Sequence, residues 1–317
     1  MVTSARLRIA FFGTPEFAVP TLQKLIDSRH DVIAVVSQPD RPKGRGHHEQ
    51  PTPTRTSGDR AGVAVLQPAR VRDEAFYQAV RGMDLDLGVV AAYGRILPDE
   101  LLAIPRLGMI NVHASLLPEY RGAAPVHRAV IDGRRETGVT IMRVVRELDA
   151  GPMFAKITRP IGPDATSVEV EQDLARVGAD LLLDVVEQIA AGTAREEPQD
   201  HDRATYAPKL TKGEGAIDWG QPGARIHDLV RGLQPWPLVS AHLDGQRYVI
   251  HRTLRTGERA SVSGGTVVHA AGDVIEVAAG DGEVLRIVQL QPEGKRVMTA
   301  REFLAGRRIV PGAQLRP

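Results

Sequence analysis

Along the first half of the chain, short apolar runs with almost no polar interruption alternate with stretches whose apolar residues recur at helical spacing. The runs extend from Leu7 to Phe12, Asp31 to Ser37, Val63 to Leu66, Leu87 to Ala92 and Met109 to Val112. Between the first two, Phe17, Leu22, Leu25 and Ile26 fall on one helical face. Runs without polar alternation mark strands buried on both faces, which arise in parallel sheets covered by crossover helices. Val139 to Met142 and Phe154 to Ile161 add two strand candidates. From Ser167 to Ala191 the spacing predicts one long helix with the stripe Leu174, Val177, Leu181, Leu182, Val185 and Ile189. Thr166 and Glu169 form a capping box before it, and Gly192 follows its end. Residues 1–193 are therefore expected to be an α/β, Rossmann-like domain with a mostly parallel sheet.

The pattern then changes. Residues 194–210 are polar, contain Pro198 and Pro208, and are read as a linker. Ile226, Leu229, Val230 and Leu233 predict a short amphipathic helix from Gly223 onward. Short strand signals follow from Val239 to Leu243, Tyr248 to His251, Gly265 to His269, Val274 to Ala278 and Val284 to Leu290. Asp244-Gly245 and Gly280-Asp281-Gly282 supply turns between them. Strands this short and this regular predict a small OB-like β-barrel over residues 211–317. No internal repeat is visible.

Composition narrows the setting. The 317 residues suffice for about two domains, and 25% charged residues is ordinary for a globular chain. With no cysteine, disulfides, thiolate zinc sites and cysteine nucleophiles are excluded. No apolar run approaches the roughly 18 residues of a membrane helix, and Ile9 to Phe12 is too short for a signal-peptide core. A cytoplasmic monomer is expected. The net charge of +1 conceals an asymmetry: from Ala207 onward there are 15 Lys/Arg against 11 Asp/Glu, and before it 25 against 28. A basic tail on an acidic body hints at a polyanionic partner.

The candidate chemistry sits at the ends of strands, where parallel sheets bind ligands. Asn111 and His113, two residues apart on a strand, point to the same face and place an amide donor beside a proton acceptor. Asp149 closes a neighbouring apolar stretch. On spacing alone, a structural histidine and a Ser115-His113-Asp149 hydrolase remain alternatives, although no G-x-S-x-G elbow is present. Gly13-Thr14-Pro15 follows the first strand but lacks the G-x-G-x-x-G pattern, so it reads as a strand-to-helix turn. The contiguous His47-His48-Glu49 has no metal-ligand spacing, and no metal is expected. The long loop from Gln38 to Ser57 carries Arg41, Lys43, Arg45 and Arg55, a candidate arm for an anionic substrate.

The tract Asn111-x-His113-x-Ser115-Leu116-Leu117-Pro118-x-Tyr120-Arg121-Gly122 resembles the signature of the 10-formyltetrahydrofolate-dependent formyltransferases. Phe12-Gly13-Thr14-Pro15, Ala92-Tyr93-Gly94, Leu148-Asp149-Ala150-Gly151, Ile217-Asp218-Trp219 and Pro235-Trp236-Pro237 extend the resemblance over essentially the whole chain, toward the members that act on tRNA. The resemblance implies transfer of a formyl group from 10-formyltetrahydrofolate to the α-amine of initiator methionyl-tRNA. It implies Asn111, His113 and Asp149 as the catalytic trio, and Ser115, Leu116, Leu117 and Pro118 as folate-pocket residues. Tyr93, Gly94, Ile96 and Leu97 are further folate-pocket candidates, since they follow a strand end. It also implies that Arg45 and its loop, including Arg41 and Lys43, meet the tRNA acceptor end while the barrel grips the same RNA. The loop departs from the family's lysine-rich continuation, reading Gly44-Arg45-Gly46-His47-His48-Glu49. A sugar nucleotide or purine precursor as acceptor, or a non-catalytic RNA-binding protein, are the competing readings.

Overall fold

The apolar runs of the first half assemble into one seven-stranded sheet. It is seen in a computed structural model that describes residues 5–43 and 48–317. The strands are β1 (Arg8–Gly13), β2 (Asp31–Val36), β3 (Ala64–Leu66), β4 (Leu87–Ala91), β5 (Met109–His113), β6 (Glu136–Arg143) and β7 (Met153–Pro160), in the order β7-β6-β5-β4-β1-β2-β3. β3, β2, β1, β4 and β5 run parallel, and β6 lies antiparallel to β5. Strand order reverses between β1 and β4, so a crevice opens beyond their carboxyl ends. β4 is buried throughout and β1 from Ile9 onward, which is why neither shows polar alternation.

The helix expected after β1 is divided into a 3-10 turn, Glu16–Ala18, and a helix Val19–Ile26. Pro20 lacks an amide hydrogen and is tolerated only in a helix's first turn, so the α-helix begins there. The helix Pro53–Ala61 has no apolar stripe; its buried positions are Thr54 and Gly58. A Cβ at Gly58 would stand 3.0 Å from Val65, so a small residue sets how closely this helix lies on the sheet. In the long helix Ser167–Ala191 the expected capping box is present. The Thr166 amide donates to Glu169 Oε2 at 2.7 Å, and the Glu169 amide to Thr166 Oγ1 at 3.2 Å. Leu174, Leu182, Val185 and Val186 form its buried side.

Backbone contacts group residues 1–125, 137–159 and 171–207 into one compact unit, and residues 126–136, 160–170 and 208–317 into another. The second unit thus draws in the helix Pro125–Ile131 almost entirely and the turn before the long helix.

In the second unit, β8 (Val239–Leu243), β9 (Gln246–Arg259), β10 (Val267–Ala271), β11 (Val274–Ala278) and β12 (Glu283–Pro292) pair antiparallel in the order β8-β9-β12-β11-β10. Asp244 and Gly245, with φ of 51° and 75°, make the tight turn expected between β8 and β9. The carboxyl-terminal segment then bonds both edges. Arg316 exchanges backbone bonds of 2.9 and 2.8 Å with His242, and Val267 bonds to Gly312 and Ala313 at 2.8 Å each. The segment thus links the two edge strands of the sheet, as in a small barrel. Tyr248, Ile250, Ile275, Ile287, Leu290 and Phe303 fill it, leaving a void of only about 20 Å³, so any partner must meet its outer surface. Among the described residues no helix is long and apolar enough to cross a membrane.

Candidate active site

β5 delivers Asn111 and His113 to one face, opposite Met142 and Thr140 of β6. His113 is buried, and its Nε2 lies 3.0 Å from the Tyr120 carbonyl oxygen. A carbonyl only accepts, so Nε2 carries the hydrogen and Nδ1 is left bare in the neutral ring. Nδ1 faces Asp149 Oδ2 at 3.7 Å, within ion-pair range but beyond hydrogen-bond length. Asp149 therefore makes no direct hydrogen bond to the ring. The Tyr120 carbonyl fixes the tautomer, and Asp149 stands beside the bare nitrogen. Asp149 Oδ2 accepts instead from the Gly122 amide at 2.8 Å. The Asp149 backbone has φ +47°, a left-handed conformation that a non-glycine residue keeps only where its surroundings enforce it. Asn111 is half-buried, and among the described residues its side-chain amide has no intramolecular hydrogen-bond partner, so its donors are available to a ligand.

The turn after β5 is held by side chains. Ser115 is fully buried and donates its hydroxyl to the Glu119 carbonyl at 2.6 Å. Thr140 Oγ1 donates to the Ser115 carbonyl at 2.7 Å and accepts from the Leu117 amide at 3.1 Å. With the serine hydroxyl turned to Glu119 and the imidazole to Tyr120, the hydrolase alternative has no nucleophile–base pair. Leu117 packs against Met142 and Met153, while Leu116 lies over Gly138, where a Cβ would come within 2.4 Å of it. Pro118 follows Leu117 through a cis peptide bond.

The other folate candidates divide. Tyr93 and Leu97 are buried in an apolar cluster with Phe12 and Leu101, so their side chains build the core. The Tyr93 hydroxyl has no partner there, and burial pushes its pKa up. The Tyr93 carbonyl accepts from Thr14 Oγ1 at 3.2 Å and Gln38 Nε2 at 2.7 Å, tying the ends of β1, β2 and β4 together. Gly94, at φ +78°, has Gln38 Nε2 where a Cβ would be, 2.6 Å away, so only glycine fits. Ile96 is 82% exposed, so the expected Ile96-Leu97 wall reduces to Ile96. Leu148, beside Asp149, is a second exposed apolar side chain.

The candidate arm forms an antiparallel ribbon, Arg41–Lys43 with His48–Gln50. Arg45 lies outside the described residues. Arg41 is exposed and donates to Gln38 Oε1 at 3.1 Å. Arg55 is not part of the arm: it lies in the helix Pro53–Ala61, paired with Asp40 and bonded to Gln67 at 3.1 Å. A cavity of about 590 Å³, within the range of small-ligand pockets, opens among Thr14, Gln38, Arg41, Thr52, Thr56 and Arg60.

Residues 197–207, read from the sequence as part of a linker, are bonded to the back of the site. Glu197 and Met153 exchange backbone bonds of 2.8 Å, Thr205 Oγ1 accepts from the Tyr120 amide at 2.9 Å, and Tyr206–Ala207 pairs in parallel with Arg121–Gly122. The buried Arg121 and Gln199 within this arrangement are site residues that sequence reasoning missed.

Comparison with known proteins bears on what these groups act upon. The family described as formyl transferase matches residues 7–186, and the formyl transferase C-terminal domain matches residues 209–308. The methionyl-tRNA formyltransferase of Geotalea uraniireducens is 45% identical over 311 residues, covering 98% of this chain and 98% of that protein. Its counterpart in Bacillus velezensis is 42% identical over 305 residues, covering 96% of each. The crystal structure of an N-formyltransferase from Helicobacter canadensis, in complex with folinic acid and dTDP-3-aminofucose, matches with a TM-score of 0.69 at 15% identity, over 90% of this chain and 99% of that one. HypX from Aquifex aeolicus, in complex with tetrahydrofolic acid, matches with a TM-score of 0.67 at 16% identity, over 98% of this chain and 51% of its own. At those identities the structural likeness speaks for the fold alone. The identity along the whole chain goes further: this chain belongs to the formyl transferase family, among the methionyl-tRNA formyltransferases.

Proposed function

We infer that this protein transfers the formyl group of 10-formyltetrahydrofolate to the α-amino group of methionine esterified to initiator tRNA, giving N-formylmethionyl-tRNA for translation initiation. One observation carries the reading. Methionyl-tRNA formyltransferases match 95% or more of the chain at 41–45% identity, barrel included.

The chemistry then follows from the site. The amine nitrogen attacks the formyl carbon and a tetrahedral oxyanion develops. The Asn111 amide donates to that oxygen, a contact whose loss costs about 3–4 kcal/mol in such sites. His113 Nδ1, the nitrogen that Tyr120 leaves bare, takes the proton released by the attacking amine. Asp149 stands beside Nδ1 and stabilises the imidazolium that results. A proton returned from the ring to N10 of the folate completes the transfer as that nitrogen departs. Leu116, Ile96 and the backbone of Ser115 to Pro118 and Tyr93-Gly94 border the folate ring. Residues 1–193, with 197–207 bonded behind the site, carry the catalysis, and the remainder of 194–210 leads to the barrel of 211–317, whose excess of Lys/Arg meets RNA phosphates. Arg41, Lys43 and Arg45 engage the acceptor end. The enzyme acts as a cytoplasmic monomer.

The test is a formyl-transfer assay with labelled 10-formyltetrahydrofolate and three acceptors: methionyl initiator tRNA, an amino-sugar nucleotide and an aminated purine precursor. Label in the tRNA alone is expected. Label in either small acceptor, with none in tRNA, overturns the reading.

A further inference from the structure

The buried pair behind the catalytic turn has no place in the chemistry just described. Gln199 is 5% exposed and Arg121 4% exposed. Gln199 Nε2 donates to the carbonyl of Asp149 at 2.9 Å and to that of Gly151 at 2.7 Å. Its Oε1 accepts from Arg121 Nε at 3.1 Å and Nη2 at 2.6 Å, and Nη2 also donates to His201 Nδ1 at 3.1 Å. A guanidinium only donates, so the amide oxygen must face Arg121 and its N–H groups must face the two carbonyls. The amide has one possible orientation, and in it both donors grip the turn that carries Asp149.

We propose that Gln199 is a positioning residue for formyl transfer: it holds the Asp149 turn so that the carboxylate stands at its working distance from His113, and Arg121 orients it. Three features support this. The Asp149 backbone is in a left-handed conformation that needs outside restraint, and Gln199 holds its carbonyl and that of Gly151, two residues further on. Residues 120–122 touch each member of the dyad, with the Tyr120 carbonyl on His113 and the Gly122 amide on Asp149, and Arg121 lies between them in the chain. Among the described residues Arg121 has no carboxylate in ion-pair range, so the buried cation is held by neutral groups, with two of its bonds on the glutamine oxygen and one on His201. Beside that cation the amide N–H groups are polarised and hold the carbonyls more firmly.

The proposal rests on the catalytic reading of Asp149, and the test separates the two. Gln199→Glu keeps the side chain's size and the partner for Arg121 but turns acceptors toward the two carbonyls. The kcat and KM for both substrates are measured in this variant, in Asp149→Asn and in the double variant. The expected result is a kcat about 10- to 100-fold lower for Gln199→Glu, the scale of a displaced catalytic group, with both KM values within about threefold. In the Asp149→Asn background the same change should lower kcat less than about threefold, since there is no charge left to place. Unchanged kcat in Gln199→Glu, or a loss that multiplies in full with that of Asp149→Asn, overturns the proposal alone. An Asp149→Asn enzyme with wild-type kcat overturns the catalytic reading and the proposal with it. If Gln199→Glu does not fold, Gln199→Met, which removes the donors without adding charge, is read the same way. Loss of folded circular dichroism in both would make Gln199 a determinant of the fold and overturn the proposal.

Discussion

Replacing Asp149 by asparagine separates charge from shape at the site. Oδ2 stands 3.7 Å from His113 Nδ1, and the two side chains are 16% and 6% exposed, so water screens the pair little. At that separation, with an effective dielectric near 20, a unit charge pair is worth about 4 kcal/mol. The Gly122 amide on the same oxygen draws off part of the charge, which leaves about 3–4 kcal/mol for the imidazolium formed during transfer. That corresponds to roughly 10²–10³-fold in kcat. Asparagine's own oxygen still accepts from Gly122, so the turn survives and KM for both substrates should hold within a few-fold. The assay is steady-state formylation of methionyl initiator tRNA with each substrate varied in turn, alongside thermal unfolding to show an intact fold. A stable variant with kcat within about tenfold of wild type, or an effect confined to KM, would refute the idea that this charge serves the proton transfer.

Four further outcomes follow from the same geometry. Asn111→Ala should lower kcat by roughly 10²–10³-fold, measured in the same assay, as expected for loss of one oxyanion donor. Arg41→Ala should raise KM for charged tRNA, leave folate KM unchanged and reduce the slope of log affinity against log salt by about one. Gly138→Ala puts a Cβ within 2.1 Å of the Ile157 carbonyl oxygen and 2.4 Å of Leu116, so urea unfolding should show a loss of at least about 1–3 kcal/mol. Burial pushes the His30 pKa below its ordinary 6.5, with Glu187 opposing, while Nδ1 accepts the Leu7 amide at 3.1 Å. The unfolded chain takes up that proton first, so stability is full above pH 6.5 and falls as the pH drops toward the lowered value. Urea midpoints through mildly acidic pH should show this decline, and His30→Gln should flatten it.

The strands of the first sheet are legible in the sequence because burial on both faces removes every polar residue from their interiors, as in Leu87–Ala91. The barrel is legible through its turns more than its strands. β9 runs from Gln246 to Arg259, much further than Tyr248 to His251, because register shifts near Ile250, Arg252 and Arg255 break the alternation. The helix Pro53–Ala61 is invisible to periodicity since its contact side is Thr54 and Gly58. Asn111 and His113 follow from a two-residue period, a local property. Asp149 reaches them through contacts that no local pattern encodes: its turn is held by Gln199, 50 residues later in the chain.

The same polar composition therefore serves two physical states. Glu197, Pro198, Gln199, Asp200 and His201 read as solvated linker because polarity usually reports exposure, yet Gln199 is buried with every amide group bonded. What distinguishes the states is the partner, and the partner is another turn. Gly122 shows how tightly the two are matched. At φ +121° a Cβ there would lie 2.8 Å from the Ala207 carbonyl oxygen, so only glycine lets residues 205–207 pass behind the site. The amide of that same glycine anchors the Asp149 carboxylate. The closeness of residues 205–207 and the aim of the Asp149 carboxylate are thus one requirement, met at one residue.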